Sequence, residues 1–319
     1  MLQIDNILLA RDFSQVSDQA LRYALDFARR TGSTLHVFYA QVLHEDPFSA
    51  GERPEPAADL EAIRDRLSVG DNGKPLSDGQ GKGIEIVEAV ERDVAAAPAI
   101  LNYADVHDID VIVLGTHGRR GIRRLLLGSV AEEVVRRADQ PVLTVRGIVD
   151  EQPMPDLQIG RILVPVDFSD FSREALRYAR ELSALYEAAI DVLHVVEEKL
   201  HPAFYVGGVQ SIYDVEPEIE AKAANKLEEF VSNTAGPKTT VHRHVSFGRP
   251  AHAIAEFAEN EETDLVTMST HGQTGLERFL LGSVTEKVVR HVECPVLTVK
   301  AFGHSLLPAH ELRATGEHE

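Results

Sequence analysis

The sequence predicts an α/β protein of two tandem, doubly wound domains, each built on a five-stranded parallel sheet. Three observations carry this. One passage occurs twice: "GTHGRRGIRRLLLGSVAEEVVRRADQPVLTV" at 115–145 and "STHGQTGLERFLLGSVTEKVVRHVECPVLTV" at 269–299 match at 19 of 31 positions without a gap. Within each copy, apolar runs alternate with segments of helical periodicity, which is the pattern of βαβ units. Several of the runs are apolar throughout, as strands covered on both faces are, and such strands belong to parallel sheets.

In the first copy the strands are expected at Ile7–Ala10, Thr34–Tyr39, Ile84–Ala89, Val111–Gly115 and Pro141–Val145. In the second they are expected at Ile162–Val166, Ile190–Val195, Thr239–Val245, Leu265–Met268 and Pro295–Val299. "DQALRYALDFARR" (Asp18–Arg30) and "EALRYARELSALY" (Glu174–Tyr186) place apolar residues at helical spacing behind the first strand of each copy. A shorter amphipathic helix, "SVAEEVVRRA", follows Gly128. Parallel neighbours joined by helices require right-handed crossovers. The span Asp65–Gly83, containing "GDNGKPLSDGQGKG", reads as a mobile surface loop.

The repeat covers almost the whole chain. "ILLARDFS" (Ile7–Ser14) returns as "ILVPVDFS" (Ile162–Ser169), and "ALRYA" recurs, both 155 residues on, while the long passages are 154 apart. The copies therefore differ by a net single residue, and the period is far too long for a solenoid. The expected organisation is a domain at 1–147, a Pro- and acid-rich linker at 148–159, a second domain at 160–302 and a loose polar tail at 303–319.

Composition excludes some partners. The formal net charge of −19 argues against broad nucleic-acid or anionic-membrane binding. There is no apolar run long enough for a membrane span and no signal-like start, so a cytoplasmic location is expected. Cys294, the single cysteine, excludes an internal disulfide, and its place before Pro295 suggests a buried, inert thiol.

The fold class locates the site. In open parallel sheets ligands sit beyond the carboxyl ends of the strands, where the winding reverses. Asp12 and Asp167 follow the first strands, and Gly-Thr-His-Gly and Ser-Thr-His-Gly turns follow the fourth. Gly115, Gly118, Gly128 and Ser129 have the spacing G-x2-G-x9-G-S, and the helix opening at Gly128-Ser129 offers free N–H groups and a positive dipole end suited to phosphate. The same residues admit a ligand-free explanation, because Ser129 with Glu132, and Ser283 with Glu286, have capping-box spacing.

This combination resembles the ATP-binding type of universal stress protein, in both copies. The resemblance implies a Rossmann-like sheet of order 3-2-1-4-5 in each domain, self-association through the last strands, and ATP, with Mg on its phosphates, as the ligand. Carried over to this sequence, it places Asp12 near the adenosine, Gly115 and Gly118 under the ribose-phosphate region, Gly128 and Ser129 at the phosphates, and Val130 beside them. In the second copy it implies Asp167 with its lead-in Pro165 and Val166, then Gly272, Gly282, Ser283 and Val284. The copies depart from the pattern differently. The first has Ala10-Arg11 before Asp12, where Arg11 would crowd the adenine or contact another subunit; the second has Ser269 in place of the first motif glycine. Gly248-Arg249-Pro250 follows the third strand of the second copy, with Val94-Ala95-Ala96 at the matching place in the first.

Arg119, Arg120, Arg123 and Arg124 lie between Gly118 and Gly128, whereas the second copy has only Arg278, beside Glu277. The cluster reads either as a phosphate clamp or as solvated surface charge. His117 and His271 read as structural, and His242 with His244 are too few ligands for a zinc site. There is no GxxxxGK[ST], and no general base or other catalytic residue is evident. The expected function is an ATP-binding stress-response module with an unidentified signalling partner and at most slow hydrolysis. The alternatives are a scaffold without nucleotide and a slow ATPase.

Overall fold

The computed structural model describes residues 2–42, 83–116, 127–146, 157–197, 218–272, 281–300 and 305–307. The chain divides into two compact units, one centred on Leu2–Gln158 and one on Ile159–Ala301.

The first unit runs β1 (Asn6–Arg11), α1 (Gln15–Thr31), β2 (Thr34–Val42), β3 (Ile86–Asp93), α2 (Ala96–Val106), β4 (Val111–Gly115), α3 (Ser129–Arg137) and β5 (Val142–Val145). The second runs β6 (Arg161–Val166), α4 (Asp170–Tyr186), β7 (Ala189–Glu197), α5 (Ile219–Ser232), β8 (Val241–Gly248), α6 (Pro250–Asn260), β9 (Leu265–Ser269), α7 (Ser283–His291) and β10 (Val296–Val299). All strand pairs within each unit are parallel, in the orders β3-β2-β1-β4-β5 and β8-β7-β6-β9-β10. This is the doubly wound architecture expected, and it makes β1 a neighbour of β4 and β6 a neighbour of β9.

The central strands are apolar because helices cover both faces. Ile7, Leu8 and Leu9 are fully buried, as are Ile162, Leu163 and Val164. The outermost strand β3 reads IVEAVERD, with alternate residues exposed, which is why its polar second half is not recognisable as strand from apolar content alone.

The repeat extends to local chemistry. Ser14 and Ser169 cap α1 and α4 by accepting from the backbone N–H groups of Ser17 and Ser172, 3.2 Å each. At the opposite end of the sheets, Asp110 Oδ2 accepts from the amides of Asp5 (2.7 Å) and Asn6 (2.9 Å). Asp264 Oδ2 does the same for Gly160 (2.8 Å) and Arg161 (2.9 Å).

The single-residue difference between the copies lies at the third strand. Asp93 and Gly248 end β3 and β8 at equivalent registers, opposite Val42 and Glu197. Two residues then precede α2, but only Arg249 precedes α6. Gly248 turns with φ of 123°, a conformation glycine adopts freely. The first copy turns without a glycine: Asp93 Oδ1 accepts from the amides of Val94 (2.5 Å) and Ala95 (3.4 Å). Ala95-Ala96 thus match Arg249-Pro250 as helix cap and first helical residue, whereas Gly248 matches Asp93 by strand register and Val94 is the additional residue.

Of the segment read as a tail, Leu306 and Leu307 are buried, and Gln3 N donates to Leu306 O at 2.9 Å. Cys294, expected as a buried, inert thiol, is half-buried, and burial pushes its thiol up to about 12, so it stays protonated.

Candidate functional site

In each unit the chain leaves the first strand through Asp-Phe-Ser. Asp12 Oδ1 accepts from Ser14 N (3.0 Å) and Ser14 Oγ (2.6 Å), and Asp167 Oδ1 accepts from Ser169 N (3.0 Å) and Ser169 Oγ (2.5 Å). The residue between has positive φ in both copies, 60° at Phe13 and 67° at Phe168. Each carboxylate is thereby tied to the start of the following helix while it stands at the carboxyl end of the central strand.

The adjacent strand leaves through Thr116 or Thr270. Both threonines are buried, and their amides donate to Val145 O (2.9 Å) and Val299 O (3.0 Å), which ties the fourth strand to the fifth. Their carbonyls accept from Gly128 N (2.7 Å) and Gly282 N (2.8 Å). The helix after the fourth strand is therefore fastened by its cap glycine to the end of that strand. A β-carbon on Gly282 would come within 3.0 Å of Thr270 O, so the glycine permits the approach.

Gly128 and Gly282 are the N-caps of α3 and α7, with no side chain capping either helix. Ser129 and Ser283 are the first helical residues and are exposed, with Val130 and Val284 half-buried behind them. The capping-box explanation fails for a physical reason: the serine sits one position too far along to cap. Glu286 moreover pairs with Arg290 at 2.7 Å instead of reaching back. Helix starts of this kind leave backbone N–H groups to be satisfied by water or an anion.

The structure brings Asp167 and Gly272 together, while Gly282 meets Thr270, two residues before Gly272. A β-carbon on Gly272 would stand 2.7 Å from Asp167 Oδ2. Pro165 and Val166 end β6, and Val166 O accepts from His194 Nδ1 at 2.9 Å. Burial, with Lys226 nearby, holds the His194 ring below its ordinary pKa, so it is a neutral donor.

Gly115 has a packing role beside the one the motif implies. A β-carbon there would stand 2.8 Å from Val16 Cγ1 and 3.3 Å from Val16 C, so its missing side chain makes room for the first turn of α1. In the second copy Ser269 fits, with its hydroxyl donating to His271 O at 2.6 Å. Arg11 departs from expectation. It is buried and turned onto Asp18 of α1, with its guanidinium 5.3 Å from the Phe13 ring centre, so it neither projects toward another subunit nor lies open to a ligand. Gly118, His117, Glu277, Arg278 and the four arginines between Gly118 and Gly128 lie outside the described residues.

His244 Nε2 bonds Asp191 Oδ1 at 2.8 Å and His242 is exposed beside it. Among the described residues no three His, Cys, Asp or Glu side chains cluster as metal ligands, and no helix is long and apolar enough to cross a membrane.

Two doubly wound α/β domains in one chain, each with a carboxylate after the first strand and a glycine-started helix after the fourth, define a tandem member of a Rossmann-like class. The model of the universal stress protein family matches residues 3–146 and again 158–300, and the chain belongs to that family. A universal stress protein of Methanocaldococcus jannaschii is 36% identical over 140 residues, covering 44% of this chain and 81% of that one. One from Mycolicibacterium smegmatis is 25% identical over 298 residues, covering 92% and 96%. The crystal structure of a putative universal stress protein from Pseudomonas aeruginosa superposes with a TM-score of 0.66 at 18% identity, covering 93% of each chain, which is a likeness of fold.

Proposed function

We propose that this chain is a cytoplasmic stress-response module that binds ATP at the carboxyl ends of the first and fourth strands of each unit. The observation that carries the proposal is the contact of Asp167 with Gly272, in a turn whose Thr270 carbonyl also fastens the uncapped start of α7. A carboxylate lies against a glycine whose surface is backbone, and the neighbouring helix presents amides that no side chain caps. Phosphates suit such a helix start through both its N–H groups and its dipole. In the first unit Asp12 and the uncapped start of α3 at Gly128, with Ser129 and Val130, are read the same way.

Magnesium would arrive with the phosphates. Such an ion keeps several waters and takes its other ligands largely from phosphate, while Asp12 and Asp167 are read as standing near the adenosine. The sequence offers no evident general base, so the module is read as holding nucleotide with, at most, slow turnover. Its output would be nucleotide-dependent shape or self-association, including through the last strands.

The nucleotide content of freshly purified protein tests this. Retained ATP supports the module. Protein that neither retains nor takes up nucleotide is a scaffold, and rapid release of ADP identifies an enzyme. Gly118→Val, Gly128→Val and Gly282→Val should each lower binding stoichiometry, and Arg123→Gln/Arg124→Gln should reduce affinity and its salt dependence if those arginines clamp phosphate.

A further inference from the structure

We propose that Phe13 and Phe168 are positioning residues: each ring anchors a left-handed turn that aims the carboxylate before it. The inference rests on the nucleotide reading of that carboxylate for its functional meaning, but not for its structural test.

A bulky residue with positive φ is an outlier that surrounding structure must hold in place. Here the same outlier occurs twice in one chain, at φ of 60° and 67°, each time directly after the site carboxylate. The left-handed turn brings the following serine back over the aspartate, so that amide and hydroxyl both donate to Oδ1. With Oδ1 so engaged, Asp167 Oδ2 faces Gly272.

The rings supply the hold. Phe13 packs on Tyr39 with ring centres 4.8 Å apart, and Tyr39 is the residue of β2 registered opposite Arg11, the last residue of β1. Phe168 packs on His194 at 4.2 Å, and His194 is the residue of β7 registered opposite Val166, the last residue of β6. His194 also grips the Val166 carbonyl, one residue before Asp167. Lys226 Nζ stands 4.4 Å from the Phe168 ring centre, and Phe230 packs edge-on at 5.7 Å. Different partners thus fix one geometry in the two copies. The aromatic ring is anchored to the neighbouring strand, and the carboxylate is held by the turn.

The test uses Phe168→Val, which loses the ring and disfavours positive φ; Phe168→Asn, which loses the ring but tolerates positive φ; and Phe168→Tyr, which keeps the ring. The first readout is hydrogen exchange of the Ser169 amide in nucleotide-free full-length protein. The second is the ATP affinity of the second site in a two-site calorimetric titration, with melting temperature as the control for folding. Exchange should be fast in the valine variant, intermediate in the asparagine variant and native in the tyrosine variant. Affinity should follow the same order, falling about tenfold in the valine variant. Ser169 exchange that does not change in the valine variant overturns the proposal, whatever ATP does, as does an affinity loss that the tyrosine variant fails to reverse. If the native protein binds no ATP while exchange follows the stated order, the nucleotide reading falls and the positioning of the carboxylate stands.

Discussion

The carboxylate of Asp167 stands where a side chain on Gly272 would have to go: Oδ2 is 2.7 Å from the position of a β-carbon there. The end of the first strand and the turn after the fourth therefore meet where a carboxylate lies against a bare backbone. Gly272→Ala must swing that carboxylate away and strain its two bonds from Ser169. The expected outcome is about a tenfold weaker second site for ATP and a loss of about 1.5–3 kcal/mol in stability, the scale of a hydrogen bond to a charged group. Calorimetric titration and urea unfolding check both. An alanine variant with native affinity would show that the contact is incidental to binding.

Gly115 makes the contrasting case. Its absent β-carbon would press on Val16 Cγ1 at 2.8 Å and on the backbone of α1 at 3.3 and 3.4 Å. Gly115→Ala should cost about 1–3 kcal/mol, as overpacking does, and weaken ATP binding at the first site only in proportion. Val16→Ala in the same chain should recover part of the loss, because it removes the side-chain contact and leaves the backbone one. Ser269→Gly should cost about 0.5–1.5 kcal/mol through its bond to His271 O. A Gly115→Ala variant of native stability whose ATP site is lost would restore the motif's own explanation of this glycine.

These two glycines show what was legible. The alternation of apolar runs and helical segments is enough for the fold, because each core strand is buried on both faces and reads as such. The location of the site follows from topology, since β1 beside β4 brings Asp12 toward the turn after Gly115. The purpose of an individual motif residue is not legible, because spacing reports a missing side chain without saying what fills its place. Arg11 was read as crowding the adenine or contacting another subunit; only the helix that follows brings Asp18 within its reach. The one-residue difference between the copies was counted in the sequence but not placed after β3, because Asp93 does by side-chain hydrogen bonding what Gly248 does by conformation. The left-handed Phe13 and Phe168 were missed because no residue preference marks them.

Leu143 tests how completely the last strand of the first unit is enclosed. It is fully buried, and all four residues of β5 are buried. Leu143→Lys should destabilise the chain by about 3–5 kcal/mol, because an amine placed there loses its hydration without a partner. A melting curve and light scattering read the effect, with loss of cooperativity or association expected. A soluble variant of unchanged stability would mean that the strand is open to solvent.

The last expectation concerns pH. His36 on β2 is buried, with Nδ1 3.0 Å from Tyr103 Oη. Burial first, and then the charge on His107, lower its pKa from the ordinary 6.5, with Glu85 opposing. Burial, aided by Glu91, likewise raises the Tyr103 hydroxyl, which stays protonated as the natural donor to the neutral ring. The sign follows from proton counting. Below pH 6.5 the unfolded histidine takes up a proton before the folded one, so stability is full above that pH and is lost as pH falls toward the lowered folded value. His194 is shifted the same way and adds to the slope. Each group contributes at most about 1.4 kcal/mol per pH unit in this window. Urea unfolding at pH 7.5, 6 and 5 should show stability declining, with a shallower decline in His36→Gln, which is neutral throughout. Ring carbon shifts of His36 followed by NMR assign the titration directly. A His36 pKa at or above 6.5, or a slope the glutamine variant leaves unchanged, would show that the buried ring is not the source of the acid sensitivity.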